Sequence, residues 1–349
     1  MSAQTVEQQY AFFQQTKRRF GMYSASETGE VAARAPAAIM EGLIPAGSVN
    51  LLVGDSGIGK TPLIYQLGLS VAAGLPFLGF AAKASRVLMV DYENPIEDAH
   101  RILEQQRSNL GLERFPPYFL LWPFHLAPAD SAEQALEEAM RTLTPELVIL
   151  DSLRTYCSRM EGASSSAAAQ VKQLRRAGAR GGAAVLLVHH IHKRYLQRHT
   201  PLETTPALDW LMHAAGSRAL INQTDVRLAI ARPRTLADRD SVLVLRGHYR
   251  TRGEVGPFLL RRRKDAAGQP FGYSSEPLPP PLFENPDHEA FYHRLPAAFD
   301  FREACAISRL PRSSTSRVLT MMLGQGLLRK TAPGLYEKAG CSGNGGIAT

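Results

Sequence analysis

The stretch GDSGIGKTP at positions 54–62 limits this chain more than any other, because Gly54, Gly59, Lys60 and Thr61 satisfy the phosphate-loop pattern G-x-x-x-x-G-K-[ST]. Glycines let successive backbone N–H groups turn towards phosphates, and a following helix N-terminus adds partial positive charge. Apolar GSVNLLV reads as the strand before the loop and PLIYQLGLSVAAG as the helix after it. Pro62 falls in that helix's first turn, where its missing N–H has no intrahelical partner to lose. The residues expected to hold a nucleoside triphosphate are Gly54, Asp55, Ser56, Gly57, Ile58, Gly59, Lys60, Thr61 and Pro62. Lys60 is expected to reach the β- and γ-phosphates, and the Thr61 hydroxyl to ligate Mg2+.

Triphosphate hydrolysis needs further groups, and strand-like runs offer them at their C-terminal ends. PELVILDSL presents Asp151 as a second Mg2+ anchor, and RVLMVDYEN presents Asp91 and Glu93 two residues apart. Ligand crevices open beyond the carboxyl ends of parallel strands. Glu93 lies further out and reads as the base that orients water, with Asp91 as a supporting or capping acid. AVLLVHHIHK supplies His189 and His190 as γ-phosphate sensors rather than metal ligands. The guanine motif of GTPases is missing, since NQTD at 222–225 lacks the lysine, and no transporter-type L-S-G-G-Q signature occurs.

Candidate strands at 49–53, 86–90, 147–150, 184–189, 226–231, 241–245 and 258–261 alternate at first with helical patterns at 62–73, 96–110, 132–142 and 167–178. This order predicts an α/β fold with a mostly parallel sheet covered on both faces, ending in antiparallel hairpins. An N-terminal arm is expected over 1–36, with a helix near 6–19, and an ATPase domain over 37–275. A Pro-rich linker is expected over 276–283, a small C-terminal domain over 284–338, and a disordered tail over 339–349. In that small domain FREACAIS and STSRVLTMMLGQ read as two helices joined by RLPRSS, and LLRKTAPGLYEK reads as a hairpin. The pattern is that of a winged helix-turn-helix, with Ser313, Ser314, Arg317 and Thr320 outside. Its partner is double-stranded DNA or a protein.

The formal net charge is +8, and charge is unevenly spread. Positions 227–264 hold eleven Arg/Lys against Asp238, Asp240 and Glu254, an excess of 11 − 3 = +8 that suits a polyanion. No run of 18 apolar residues and no signal-like N-terminus is present, and Cys157, Cys305 and Cys341 lie far apart. A cytoplasmic protein with neither membrane nor zinc site is expected.

Together GDSGIGKTP, VLMVDYEN, LVILDSLR, LLVHHIHK, AAGSRALINQTDVRLAI and LVLRGHYRTRGEVGPFLLRRR resemble the RecA-like hexameric helicases, most of all the RepA helicase family of mobilisable plasmids. The resemblance spans about 37–265 and implies a homo-oligomeric ring, six subunits by analogy, with ATP at subunit interfaces and single-stranded DNA in a central channel. It implies an arginine finger supplied by the neighbouring subunit. The family places an arginine just before its Gly-Ser pair, where this chain has Ala215, so Arg218 or Arg246 is the substitute, with Arg250 and Arg252 as further alternatives. The segment 191–215 stands where relatives carry a channel loop, and Lys193, Arg194, Tyr195 and Arg198 would meet DNA there. The implied function is an ATP-driven DNA motor, helicase-like or remodelling. The alternative is an ATP-switched DNA-binding regulator or loader that does not unwind.

Overall fold

Six consecutive buried residues, Val49–Gly54, form β1 near the middle of the large sheet of this computed structural model. The structure describes residues 3–20, 22–34, 38–123, 132–156, 164–191, 201–214, 218–234, 241–264, 268, 270–278 and 282–339. Two compact units divide at Ala37/Ala38. In the first, α1 (Ala3–Arg19) is followed by α2 (Ala25–Arg34), a helix not expected from sequence. Ser24 opens α2, and Glu27 reaches back to it, as the acidic half of a capping box does: the Ser24 N–H and hydroxyl donate to Glu27 at 2.7 and 2.9 Å. The Lys17 ammonium grips the same carboxylate, and this pair, before the Ser24 bonds, holds Glu27 down at about 2.

In the second unit β1 leads into α3 (Lys60–Ala73), β2 (Val87–Asp91), α4 (Ile96–Asn109) and β3 (Phe119–Pro123). Then come α5 (Ala132–Leu143), β4 (Leu147–Asp151), α6 (Leu153–Tyr156), α7 (Ser164–Gly181) and β5 (Ala184–His190). After α8 (Ala207–Ala214) and α9 (Arg218–Gln223) the chain forms β6 (Val226–Ala231), β7 (Val242–Tyr249), β8 (Gly253–Lys264) and β9 (Pro270–Pro277). The nine strands lie in the order β3-β2-β4-β5-β1-β6-β7-β8-β9. Every pairing from β3 to β6 is parallel, and those from β6 to β9 are antiparallel.

Continuous apolar strands suit a sheet buried on both faces. Leu52, Ile149 and Leu186 point into one core with α3 and α4, while Leu51, Leu150 and Leu187 point into the other with α5, α7 and α8. Truncating any of these fully packed leucines to alanine costs about 2–5 kcal/mol.

Two expectations need correction. The segment 191–215 is not all loop, because 207–214 is α8, whose Trp210 and Leu211 are buried in the second core. Lys193, Arg194, Tyr195 and Arg198 lie outside the described residues. The supposed linker also starts late. Glu276 and Pro277 belong to β9, pairing with Leu259 and Phe258. An edge strand has one side without ladder bonds, so proline fits there.

The C-terminal elements are α10 (Pro286–Arg294), β10 (Ala298–Asp300), α11 (Phe301–Ser308), α12 (Arg312–Gly324), β11 (Leu328–Ala332) and β12 (Leu335–Lys338). Asn285 caps α10 and Asp300 caps α11 through side-chain bonds of 2.9 and 2.7 Å. The strands form a separate antiparallel sheet, β10-β12-β11. Phe283, Phe291, Phe299, Val318, Leu319 and Met322 fill a third core, so Phe283 also leaves the expected linker. The Ser308 and Thr315 hydroxyls meet at 2.8 Å and pin α11 to α12. Ser313, Arg317 and Thr320 are exposed on α12.

Candidate nucleotide site

Parallel pairing brings the C-terminal ends of β1, β2, β4 and β5 to one edge. Gly54 aligns with His190 and Asp91 with Asp151. Residues that are up to 136 positions apart in sequence, Gly54 and His190, thereby become neighbours. The strand order also sets β5 between the loop strand and the Asp151 strand, which puts a histidine between them.

Lys60 starts α3 and is only 4% exposed. Its ammonium donates to the Gly54 and Asp55 carbonyls at 3.0 and 2.7 Å and to His190 Nδ1 at 3.0 Å. An ammonium only donates, so Nδ1 accepts and the His190 proton sits on Nε2. That nitrogen faces Glu93 Oε1 at 3.2 Å, and the Ser152 hydroxyl donates to the same oxygen at 2.6 Å. Lys60, His190 and Glu93 therefore form one continuous hydrogen-bonded chain. The His190 bond is the largest cause of the lowering of the Glu93 pKa to about 2, against the opposing effect of burial. Burial pushes the Lys60 pKa down, opposed by the charges of Asp151, Glu93 and Asp55.

The Thr61 hydroxyl donates to Asp151 Oδ2 at 2.8 Å. Asp151 is 1% exposed, and its Oδ1 has no hydrogen-bond partner among the described residues. Burial first, then the Glu93 charge, raises its pKa to about 7. A buried carboxylate oxygen without a donor, beside a threonine hydroxyl, is a donor set that fits Mg2+. Among the described residues no group of three or more His, Cys, Asp and Glu side chains stands ready to hold a metal by itself.

Asp91 and Glu93 do not share a strand face, because β2 ends at Asp91. Asp91 turns inward. It takes the Tyr65 hydroxyl at 2.6 Å, the Glu93 and Asn94 N–H groups at 2.8 and 2.9 Å, and the Asn94 amide at 2.8 Å. It shapes the turn that carries Glu93. His189 neighbours His190 on β5 and so projects to the other face. Arg218 is exposed at the start of α9, and Arg246 is bound to Glu254 on β8 at 2.7 Å. Among the described residues neither bonds to Lys60, Thr61, Glu93, Asp151 or His190.

Sequence reasoning missed the outer support of the loop. The Tyr273 hydroxyl on β9 donates to the Gly59 carbonyl at 3.0 Å, and Arg262 on β8 donates to the Ile58 carbonyl at 2.5 Å. Gln66 on α3 exchanges two bonds with the Tyr273 backbone, at 2.9 and 2.8 Å. Gly59 has φ +107°, and a Cβ there would lie 2.1 Å from the Tyr273 hydroxyl. Gly54 is equally confined, since its Cβ would lie 2.4 Å from Ile230. Both glycines are required by close neighbours as well as by the loop's turn.

A phosphate loop on a mostly parallel sheet, with Thr61 against Asp151 and Glu93 beyond the neighbouring strand, defines a P-loop nucleotide-binding domain. Residues 17–195 match the AAA domain family AAA_25, and the chain belongs to that family. It is 27% identical over 157 residues to the DNA repair protein RadA of Halalkalibacterium halodurans, a match covering 44% of this chain and 30% of that protein's length. Among solved structures it is similar to a KaiC-like protein of Pyrococcus horikoshii OT3, with TM-score 0.44 and 15% identity over 68% of this chain and 94% of the other. It is similar to the RadB recombinase as well, with TM-score 0.42 and 17% identity over 62% and 88% of the two chains. No helix among the described residues is long and apolar enough to cross a membrane.

Proposed function

We propose that this chain is an ATP-hydrolysing, DNA-binding motor of the RepA helicase type, working as a ring of identical subunits on a plasmid, phage or other mobile element. The observation that carries the reading is the meeting of Lys60, Thr61, Glu93, Asp151 and His190 at one sheet edge. The similarity to RadA, a DNA repair protein, supports the choice of DNA.

Lys60 and the loop N–H groups hold the triphosphate. Thr61 and Asp151 hold Mg2+, which neutralises charge on the phosphate oxygens when bound. Glu93, kept ionised by His190 and Ser152, accepts a hydrogen bond from the attacking water and orients it. His190 links that base to Lys60, so one side chain senses both the phosphate anchor and the base. A neighbouring subunit supplies the finger, and Arg218 is favoured over Arg246 because Arg246 is already tied to Glu254.

The C-terminal unit, 284–338, acts as a winged helix-turn-helix. Its α12 offers exposed Ser313, Arg317 and Thr320 to a groove, and the β11–β12 hairpin is the wing. Arg309, Arg312, Arg329 and Lys330 are exposed around it. Hydrolysis and strand separation measured with and without single-stranded DNA test the proposal, together with particle mass with and without ATP. Hydrolysis stimulated by DNA in a multi-subunit particle is the expected result. Slow hydrolysis indifferent to DNA overturns the motor reading in favour of an ATP-switched regulator. A monomer under all conditions overturns the ring.

A further inference from the structure

A cavity of about 270 Å3 opens at the opposite edge of the sheet from the phosphate loop, where β1 and β6 begin and β7 ends. The length of β1 separates the two sites, roughly 17 Å at the usual rise per strand residue. Its walls include Gly47, Asp225, Tyr249, Arg250, Thr251 and Arg252. The geometry points to a second phosphate-binding site here, taking a phosphate ester group between Arg250, Arg252 and the Tyr249 hydroxyl.

Three observations converge on an anion with several oxygens. Tyr249 is 7% exposed, and its hydroxyl is buried with no hydrogen-bond partner among the described residues. Buried polar atoms without partners are uncommon, and this one belongs to a residue of the cavity wall, so a small turn of the ring gives a bound acceptor a donor. Arg250 and Arg252 are exposed and form no ion pair among the described residues, unlike Arg246 and Arg261, which pair with Glu254 and Glu276. Their planar forks match phosphate oxygens. Burial pushes the Tyr249 hydroxyl's pKa up while the Arg252 charge pulls it down, so that charge is felt at the hydroxyl.

The one carboxylate in the wall is already engaged through Oδ2. Asp225 accepts from Arg175 at 2.7 Å and from the Val49 N–H at 2.9 Å. Behind the wall, buried Arg227 donates to the Ile221 and Thr224 carbonyls and adjoins His248, and its charge is felt by both Arg250 and Asp225. Thr251 contributes a further hydroxyl. A phosphorylated small molecule and the backbone of a nucleic acid present the same group, and the test separates them.

Inorganic phosphate is titrated by equilibrium dialysis, with saturating ADP present to occupy the loop, against the wild-type chain, Arg250→Gln/Arg252→Gln and Tyr249→Phe. The wild type should bind phosphate, and the double variant should bind at least about tenfold more weakly. Tyr249→Phe keeps the ring that packs the wall and should lose several-fold, so it decides the matter if the double variant does not fold. Unchanged binding in both variants overturns the site. Oligothymidylate is then added as competitor. Displacement of phosphate assigns the site to a nucleic-acid backbone, and retention assigns it to a free phosphorylated molecule.

Discussion

The Tyr273 hydroxyl bonds to the Gly59 carbonyl at 3.0 Å, although the two residues stand 214 positions apart. The last strand of the sheet thus holds the phosphate loop by one of its carbonyls, a bond that uses none of the loop's N–H groups. Tyr273→Phe removes this bond and should cost about 1 kcal/mol, lowering Tm by about 2 °C in a thermal melt. Nucleotide affinity should weaken in the same variant, as measured by titration with a fluorescent ATP analogue.

Gly59→Ala should abolish nucleotide binding, because its Cβ would sit 2.1 Å from the Tyr273 hydroxyl at φ +107°. In a Tyr273→Phe background the nearest remaining ring atom is Cζ at 3.4 Å, so the collision is relieved and only the backbone strain persists. The Gly59→Ala substitution should therefore do less harm in that background. Equal harm in both would show that the tyrosine does not confine the glycine.

Lys60→Ala should remove nucleotide-dependent behaviour altogether, since the ammonium is the loop's charged donor and is already buried in it. Glu93→Gln should retain ATP binding and lose roughly 100- to 10,000-fold in turnover, the usual worth of a positioned base. The glutamine carbonyl still accepts from Ser152, so folding should be preserved. Single-turnover hydrolysis alongside equilibrium binding separates the two quantities. Turnover that survives Lys60→Ala, or that Glu93→Gln leaves intact, displaces the chemistry from this edge of the sheet.

His190→Ala should move the acid side of the hydrolysis profile upward. The Glu93 pKa is lowered from 4.5 to about 2, first by His190, so the carboxylate is the charged form at all pH values above that range. A depressed acid stabilises the fold fully above its unfolded pKa and loses that contribution as pH falls through the folded one. Without His190 the burial of Glu93 acts with less opposition, and half-activity and acid unfolding should both shift to higher pH. A pH series from 3 to 8, about one unit apart, on wild type and variant measures this.

The loop, Asp151 and the strand ends were legible because each carries its signal within one short window. Helix α11 appears at 301–308, where FREACAIS was read, because Asp300 and the apolar spacing mark it locally. β9 left no such mark. PFGYSSEP has two prolines, a glycine and two serines, and it is a strand because β8 offers it an edge. α8 was missed for another reason: ALDWLMHA follows a basic, polar stretch, and its burial depends on the sheet behind it. The His190–Glu93 contact was invisible because strand order, which the sequence does not state, sets β5 only one strand away from β2, whose end carries Glu93.

The dependence of the loop on β9 has a consequence during synthesis. The span matched by the AAA family ends at 195, before Arg262 and Tyr273 are made. At about 5–20 residues per second, a ribosome needs roughly 10 to 40 seconds to travel from Gly59 to Tyr273. Through that interval the nascent chain exposes a glycine loop with no outer wall, so its grip on nucleotide matures only when the edge strand closes.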